Sequence, residues 1–206
     1  MILALRKMGC RMRRFLGEAL VWRSPNRHYG PVAWLLLAGA AWLAAGLAGD
    51  PAWPAMVAEG AYLLLLLTAV CAIDARYGII PNGLVIAMAT GGIVPLLART
   101  GDAVFQRLLE AALFLAMACL FRAAYRAIRG HDGLGLGDVK FAAAGVLWVG
   151  VEGVPGLLLI AVLSAMVSLL VLRADGHELN GKLAIPFGPH LAVGLWLSWI
   201  MGPLIL

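Results

Sequence analysis

Residues 55–82 read AMVAEGAYLLLLLTAVCAI-DARYGIIPN and decide the fold. The first 19 of them carry one charged side chain, Glu59. As a helix they are about long enough to cross a hydrocarbon core of roughly 30 Å. A single segment crossing lipid must satisfy its own backbone hydrogen bonds, which only a helix does. At the edge of this run stands Asp74, where an ionised carboxylate is costly and marks function.

Runs of the same kind recur outward in both directions. The chain of 206 residues is 63% hydrophobic and 13% charged, with a mean hydropathy of +0.92, far from the balance of a soluble globular domain. An all-α, polytopic membrane helix bundle of about seven spans is expected, over residues 31–49, 55–73, 79–97, 104–124, 139–151, 157–172 and 189–206. Residues 1–30 form a basic head in front of the bundle at 31–206. In that head, Phe15, Leu16, Leu20, Val21 and Trp22 lie among arginines, a pattern suited to a helix resting on an anionic leaflet. A basic region of this length, followed by an apolar run of 19 residues, speaks against a cleaved signal peptide.

Loop charge orients the spans. The head holds Arg6, Lys7, Arg11, Arg13, Arg14, Arg23 and Arg27, which places it in the cytoplasm by the positive-inside rule. Alternation then puts Arg76, Arg122, Arg126, Arg129, Lys140, Arg173 and Lys182 on the same side, against Arg99 and Arg107 outside. The net charge of +5 is thereby accounted for without a nucleic-acid partner, and no nucleic-acid motif is present. This topology brings Asp74, leaving the second span, to the same cytoplasmic boundary as Asp138, entering the fifth. Two carboxylates that share a proton can supply both a general base and a general acid. Helix ends suggest Asp138 as base, at an N-terminus beside Lys140, and Asp74 as acid, at a C-terminus.

Three segments carry a resemblance to a known family. They are Asp74 followed by Ile80-Pro81-Asn82; Gly135-Leu136-Gly137-Asp138-Val139-Lys140; and Ile185-Pro186-Phe187-Gly188-Pro189. In this order, over residues 55–206, the chain resembles the prepilin leader peptidases, membrane aspartyl proteases with a G-x-G-D element. The resemblance implies catalysis by Asp74 and Asp138, with Gly135, Gly137, Lys140, Pro81, Asn82, Pro186, Phe187, Gly188 and Pro189 as substrate-binding or supporting residues. It implies no metal and no cofactor. The substrate implied is a type IV prepilin or pseudoprepilin, whose basic leader is cut off after a glycine at the cytoplasmic face of the bacterial inner membrane.

The residues themselves add weight unevenly. Glycines around Asp138 leave room for an extended substrate backbone, or simply form a flexible loop. Pro81 and Pro186 also suit the first turn of a helix. Cys10, Cys71 and Cys119 form no C-x-x-C pair, so the zinc framework of larger, methylating relatives is missing; a peptidase is implied, and methylation is left open. His131 and Asp132, like Asp175, His177, Glu178, Asn180 and Lys182, read as solvated loop residues. Glu59 and Glu110 either snorkel outward or pair within the bundle. Two alternatives remain. A proton-coupled transporter would use carboxylates nearer the midplane, such as Glu59 or Glu110. Other G-x-G-D proteases, preflagellin peptidases among them, share the same chemistry.

Overall fold

The structure, a computed structural model, describes residues 39–42, 53–97, 101–131, 133–174 and 186–202. The basic head, most of the first expected span, Asp132 and the polar segment at 175–185 lie outside the described residues. The regular structure described is helical: α1 (Trp53–Tyr77), α2 (Asn82–Leu97), α3 (Gly101–Arg129), α4 (Leu136–Ala174) and α5 (Gly188–Met201), with a short helical piece at 39–42. Three stretches, Met56–Tyr77, Asp102–Arg129 and Leu136–Leu170, are long and apolar enough to cross a membrane, and α2 is a shorter apolar helix.

Helix ends depart from the sequence reading in ways that matter for Asp74 and Asp138. The helix expected over 55–73 continues to Tyr77, so Asp74 lies inside α1 rather than just beyond it. It ends at Gly78, whose φ of 64° is the left-handed closure that glycine favours and whose N–H reaches the carbonyl of Asp74 at 2.8 Å. Residues 79–81 are not helical, and α2 begins at Asn82 rather than Ile79. Likewise α4 starts at Leu136, which brings Asp138 into its first turn. The fourth helix, expected over 104–124, runs from Gly101 to Arg129.

The fifth and sixth expected spans are the two arms of α4. Gly150, at φ 72° and ψ 172°, interrupts the helical backbone between them. A β-carbon on Gly145 would stand 3.3 Å from Leu157 Cδ1. Along a straight helix those positions are about 18 Å apart, so the arms must fold back on one another at Gly150. The break is held from α3: Glu110 Oε2 accepts the N–H of Val151, the first residue of the second arm, at 3.3 Å. Arg107 joins Glu110 at 2.9 Å and reaches Glu152 at 3.5 Å. Glu110 therefore pairs inside the bundle, which resolves the alternative left open for it.

The centre of the bundle is built from Leu63, Leu67, Val70, Met88, Phe141, Leu157, Leu191, Leu195 and Trp196, all nearly fully buried. Lipid-soluble helices gain little from the hydrophobic effect on meeting, so close van der Waals approach decides their packing. Small residues supply it. Gly60 admits the rings of Trp42 and Trp199, and Gly194 lets α5 cross against the backbone carbonyl of Leu157. The main packing partners of α1 are α5 and α2, and those of α4 are α5, α3 and α2. The helices bearing Asp74 and Asp138 thus converge chiefly through the partners they share, α5 and α2.

Candidate active site

Asp74 is 5% exposed, the one buried carboxylate among the described residues, where His190 and Ser198 are the other buried polar side chains. A buried carboxylate needs donors. One comes from the start of α5, where Gly188 donates its N–H to Asp74 Oδ2 at 2.8 Å. Gly188 is the first residue of that helix, so its N–H is one of the donors that no helical carbonyl can satisfy. Pro189 follows, removing a further orphan donor, and Phe187 closes the turn by accepting N–H groups from His190 and Leu191, both at 3.0 Å. Glycine at 188 is required by space: a β-carbon there would lie 2.6 Å from Asp74 Oδ2.

Asp138 repeats the arrangement with different elements. It occupies the third position of α4, and its carboxyl group is hydrogen-bonded to the backbone of Gly135, immediately before the helix. This is the reaching-back half of a capping box. Here too the glycine is needed for proximity, since a β-carbon on Gly135 would stand 2.7 Å from Asp138 Oδ2. Gly137 faces elsewhere, with Ile80 Cβ at 3.3 Å from where its own β-carbon would be, which seats the start of α4 against the α1–α2 connection. Asp138 is within electrostatic range of Asp74. Both carboxyl groups therefore lie at one end of the bundle, each held by a glycine N–H.

These contacts change three readings of the sequence. The β-carbon direction of Gly135 points at the protein's own Asp138 and that of Gly137 at Ile80, so on that side each glycine serves a contact within the protein. Lys140, expected to act on Asp138, donates from Nζ to Asn82 Oδ1 at 3.2 Å and so ties the start of α4 to the start of α2. The helix-end argument for Asp74 as acid and Asp138 as base also loses its footing, because Asp74 faces the N-terminus of α5 as Asp138 faces that of α4. Pro81 immediately precedes α2, its carbonyl accepting from Leu84 at 3.1 Å and Val85 at 3.3 Å. Pro186 and Phe187 are half-buried at the entry to α5.

Three side chains near this end went unassigned in the sequence. His190, 2% exposed, shares a 2.9 Å hydrogen bond between Nδ1 and Ser164 Oγ, linking the first turn of α5 to the second arm of α4. Arg122 donates from Nε to the carbonyl of Leu134 at 2.9 Å, joining α3 to the segment before Asp138. A histidine two residues after Gly188 in an apolar run was the available signal for the first pair. Arg122 was visible only as loop charge.

Comparison with known proteins finds relatives of this chain. A model of the type IV leader peptidase family matches residues 61–170. The chain is 33% identical over 178 residues to the prepilin leader peptidase/N-methyltransferase of Dickeya chrysanthemi, covering 86% of this chain and 59% of that protein. It is 32% identical over 163 residues to the protein of the same name from Pectobacterium carotovorum subsp. carotovorum, covering 78% and 57%. With that of Pseudomonas aeruginosa it shares 30% over 165 residues, covering 76% and 55%. The chain thus spans somewhat under three fifths of these relatives. No solved structure matches it.

Proposed function

The chain belongs to the type IV leader peptidase family, and on that premise we propose that it is a membrane-embedded aspartic endopeptidase removing the leader from type IV prepilins or pseudoprepilins. The observation that carries the reading is the convergence of two carboxylates at one end of the bundle, each fixed by the N–H of a glycine. In the proposed reaction one carboxylate takes a proton from water while the other, protonated, hydrogen-bonds the scissile carbonyl oxygen. The water oxygen attacks the carbonyl carbon to give a tetrahedral diol. Collapse breaks the C–N bond, the amine nitrogen takes up a proton from the pair, and one proton is again shared between them. The two aspartates act as a unit, and neither is assigned a fixed role.

The proposed topology has about seven spans with the head and the aspartate end cytoplasmic, in a bacterial inner membrane. A prepilin's basic leader would then stay in the cytoplasm with its apolar helix in the bilayer, and the bond after the glycine would lie beside Asp74 and Asp138. Membrane partition would orient the substrate before it meets the enzyme, lowering the entropy to be lost on the way to the reactive geometry. Pro186, Phe187 and Pro189 are proposed to border that approach, while Pro81, Asn82 and Lys140 support the site. The carrier reading is disfavoured by Glu110, whose carboxylate is engaged by Arg107 and the Val151 N–H and so is no free proton site.

The test is leader removal by protein purified in detergent, followed for wild type, Asp74→Asn and Asp138→Asn. Each substitution should abolish cleavage while leaving the helical circular dichroism unchanged. Turnover surviving in either folded variant refutes the dyad.

A further inference from the structure

The hydrogen bonds to Asp138 form a chain that begins on another helix. Arg122 of α3 donates to the carbonyl of Leu134, and the N–H of Gly135 is hydrogen-bonded to the Asp138 carboxyl group. Leu134 C=O and Gly135 N–H are the two ends of a single peptide group. A guanidinium on the oxygen polarises that amide and strengthens its N–H as a donor, since hydrogen bonds in series reinforce one another where the dielectric is low. Charge-assisted bonds are also shorter and about twice as strong as neutral ones. A β-carbon on Gly135 would stand 2.7 Å from Asp138 Oδ2, so the carboxyl group lies against this glycine.

The other aspartate has the same wiring with a different source. Gly188 N–H, which binds Asp74, belongs to the peptide whose carbonyl, that of Phe187, accepts two N–H groups from the first turn of α5. At Asp74 the amide is polarised by a helix start. At Asp138 the segment 133–135 lies outside the helix, and a side chain supplies what the backbone does not.

We propose that Arg122 is a positioning residue of the active site, acting on Asp138 through the Leu134–Gly135 peptide. This rests on the reading of Asp138 as catalytic. Among the described residues Asp74 on α1 is the charged group coupled to Asp138, while Lys140 on its own helix is bonded to Asn82 on α2 and, on α5, His190 is bonded to Ser164. Arg122 is thus the cation joined to Asp138 by an unbroken run of the hydrogen bonds described.

Two measurements test the proposal. With a synthetic prepilin segment (lysine-rich leader, glycine, apolar helix) as probe, Arg122→Leu should lower kcat by roughly tenfold or more with KM little changed, as loss of a hydrogen bond from a charged group predicts. Arg122→Lys should restore most of it. Unchanged kcat in Arg122→Leu alongside an inactive Asp138→Asn overturns the relay and leaves the dyad standing; an active Asp138→Asn overturns the dyad itself. The second measurement needs no turnover. Labelling leucine at the carbonyl carbon and glycine at nitrogen marks the Leu16–Gly17, Leu134–Gly135 and Leu136–Gly137 peptides, few enough to assign. The Gly135 amide proton should move upfield in both Asp138→Asn and Arg122→Leu, and stay near its wild-type position in Arg122→Lys. A Gly135 signal indifferent to Arg122 refutes the proposal whether or not the probe is cleaved.

Discussion

At the scale of single residues, the candidate site is two carboxylates and two glycines used in the same way. Gly188 and Gly135 each bring an N–H to an aspartate where a β-carbon would stand 2.6 or 2.7 Å from its oxygen. Gly188→Ala and Gly135→Ala should therefore push the donor away and reduce leader cleavage by roughly tenfold or more; the unfolding midpoint in detergent should shift little for Gly135→Ala, at an exposed position, and fall for Gly188→Ala, which is buried against Asp74. A wild-type rate in both would show that the N–H contacts contribute nothing to turnover. The aspartates were legible in the sequence because charge is conspicuous in an apolar run. The glycines were legible as special positions, but not their contact with the carboxylates, since spacing cannot say which side chain a missing β-carbon makes room for. His190, Ser164 and Arg122 depend on partners 26 and 12 positions away, which no local pattern reveals.

At the scale of elements, the fold-back of α4 is the decisive joint. The sequence placed a turn at residues 152–156, among Glu152, Gly153, Pro155 and Gly156, whereas the helical path breaks at Gly150. Gly150, Gly153 and Gly156 can all take positive φ, and Arg107 and Glu110 arriving from α3 hold the break at Gly150. Gly150→Ala should cost about 1–3 kcal/mol for the backbone conformation alone, and more because the new β-carbon meets the Arg107 guanidinium. Glu110→Ala should cost about 1–3 kcal/mol by leaving the Val151 N–H and Arg107 without their carboxylate. Circular dichroism during denaturation in mixed micelles measures both. If the joint works as described, the double variant should lose less than the sum of the two, because both act on one structure.

For the whole molecule, apolar periods and loop charge gave the helical class and an orientation, while the boundaries of individual helices depended on contacts that only the folded bundle supplies. The expected orientation can be checked directly, since α3 separates Asp102 from His131 by nearly its whole length, about 43 Å. In protein whose own cysteines are replaced by alanine, Asp102→Cys should react with an impermeant maleimide added outside intact cells. His131→Cys should react only once the inner membrane is opened; the reverse pattern would invert the topology. The helices differ in reach: α1 and α3, with 25 and 29 residues, extend about 37 and 43 Å, whereas α2, with 16, and α5, with 14, extend about 24 and 21 Å, and the first arm of α4 is as short. The short members gather around Asp138 and Asp74, the latter carried by the long α1. In the proposed topology a bilayer meeting them would thin around these short members, with lipid headgroups sinking toward the aspartates. Water could then follow the headgroups down to the carboxylates, and a guest helix of ordinary length would overhang the dent, leaving its end unsheathed by lipid beside the water that is to cut it.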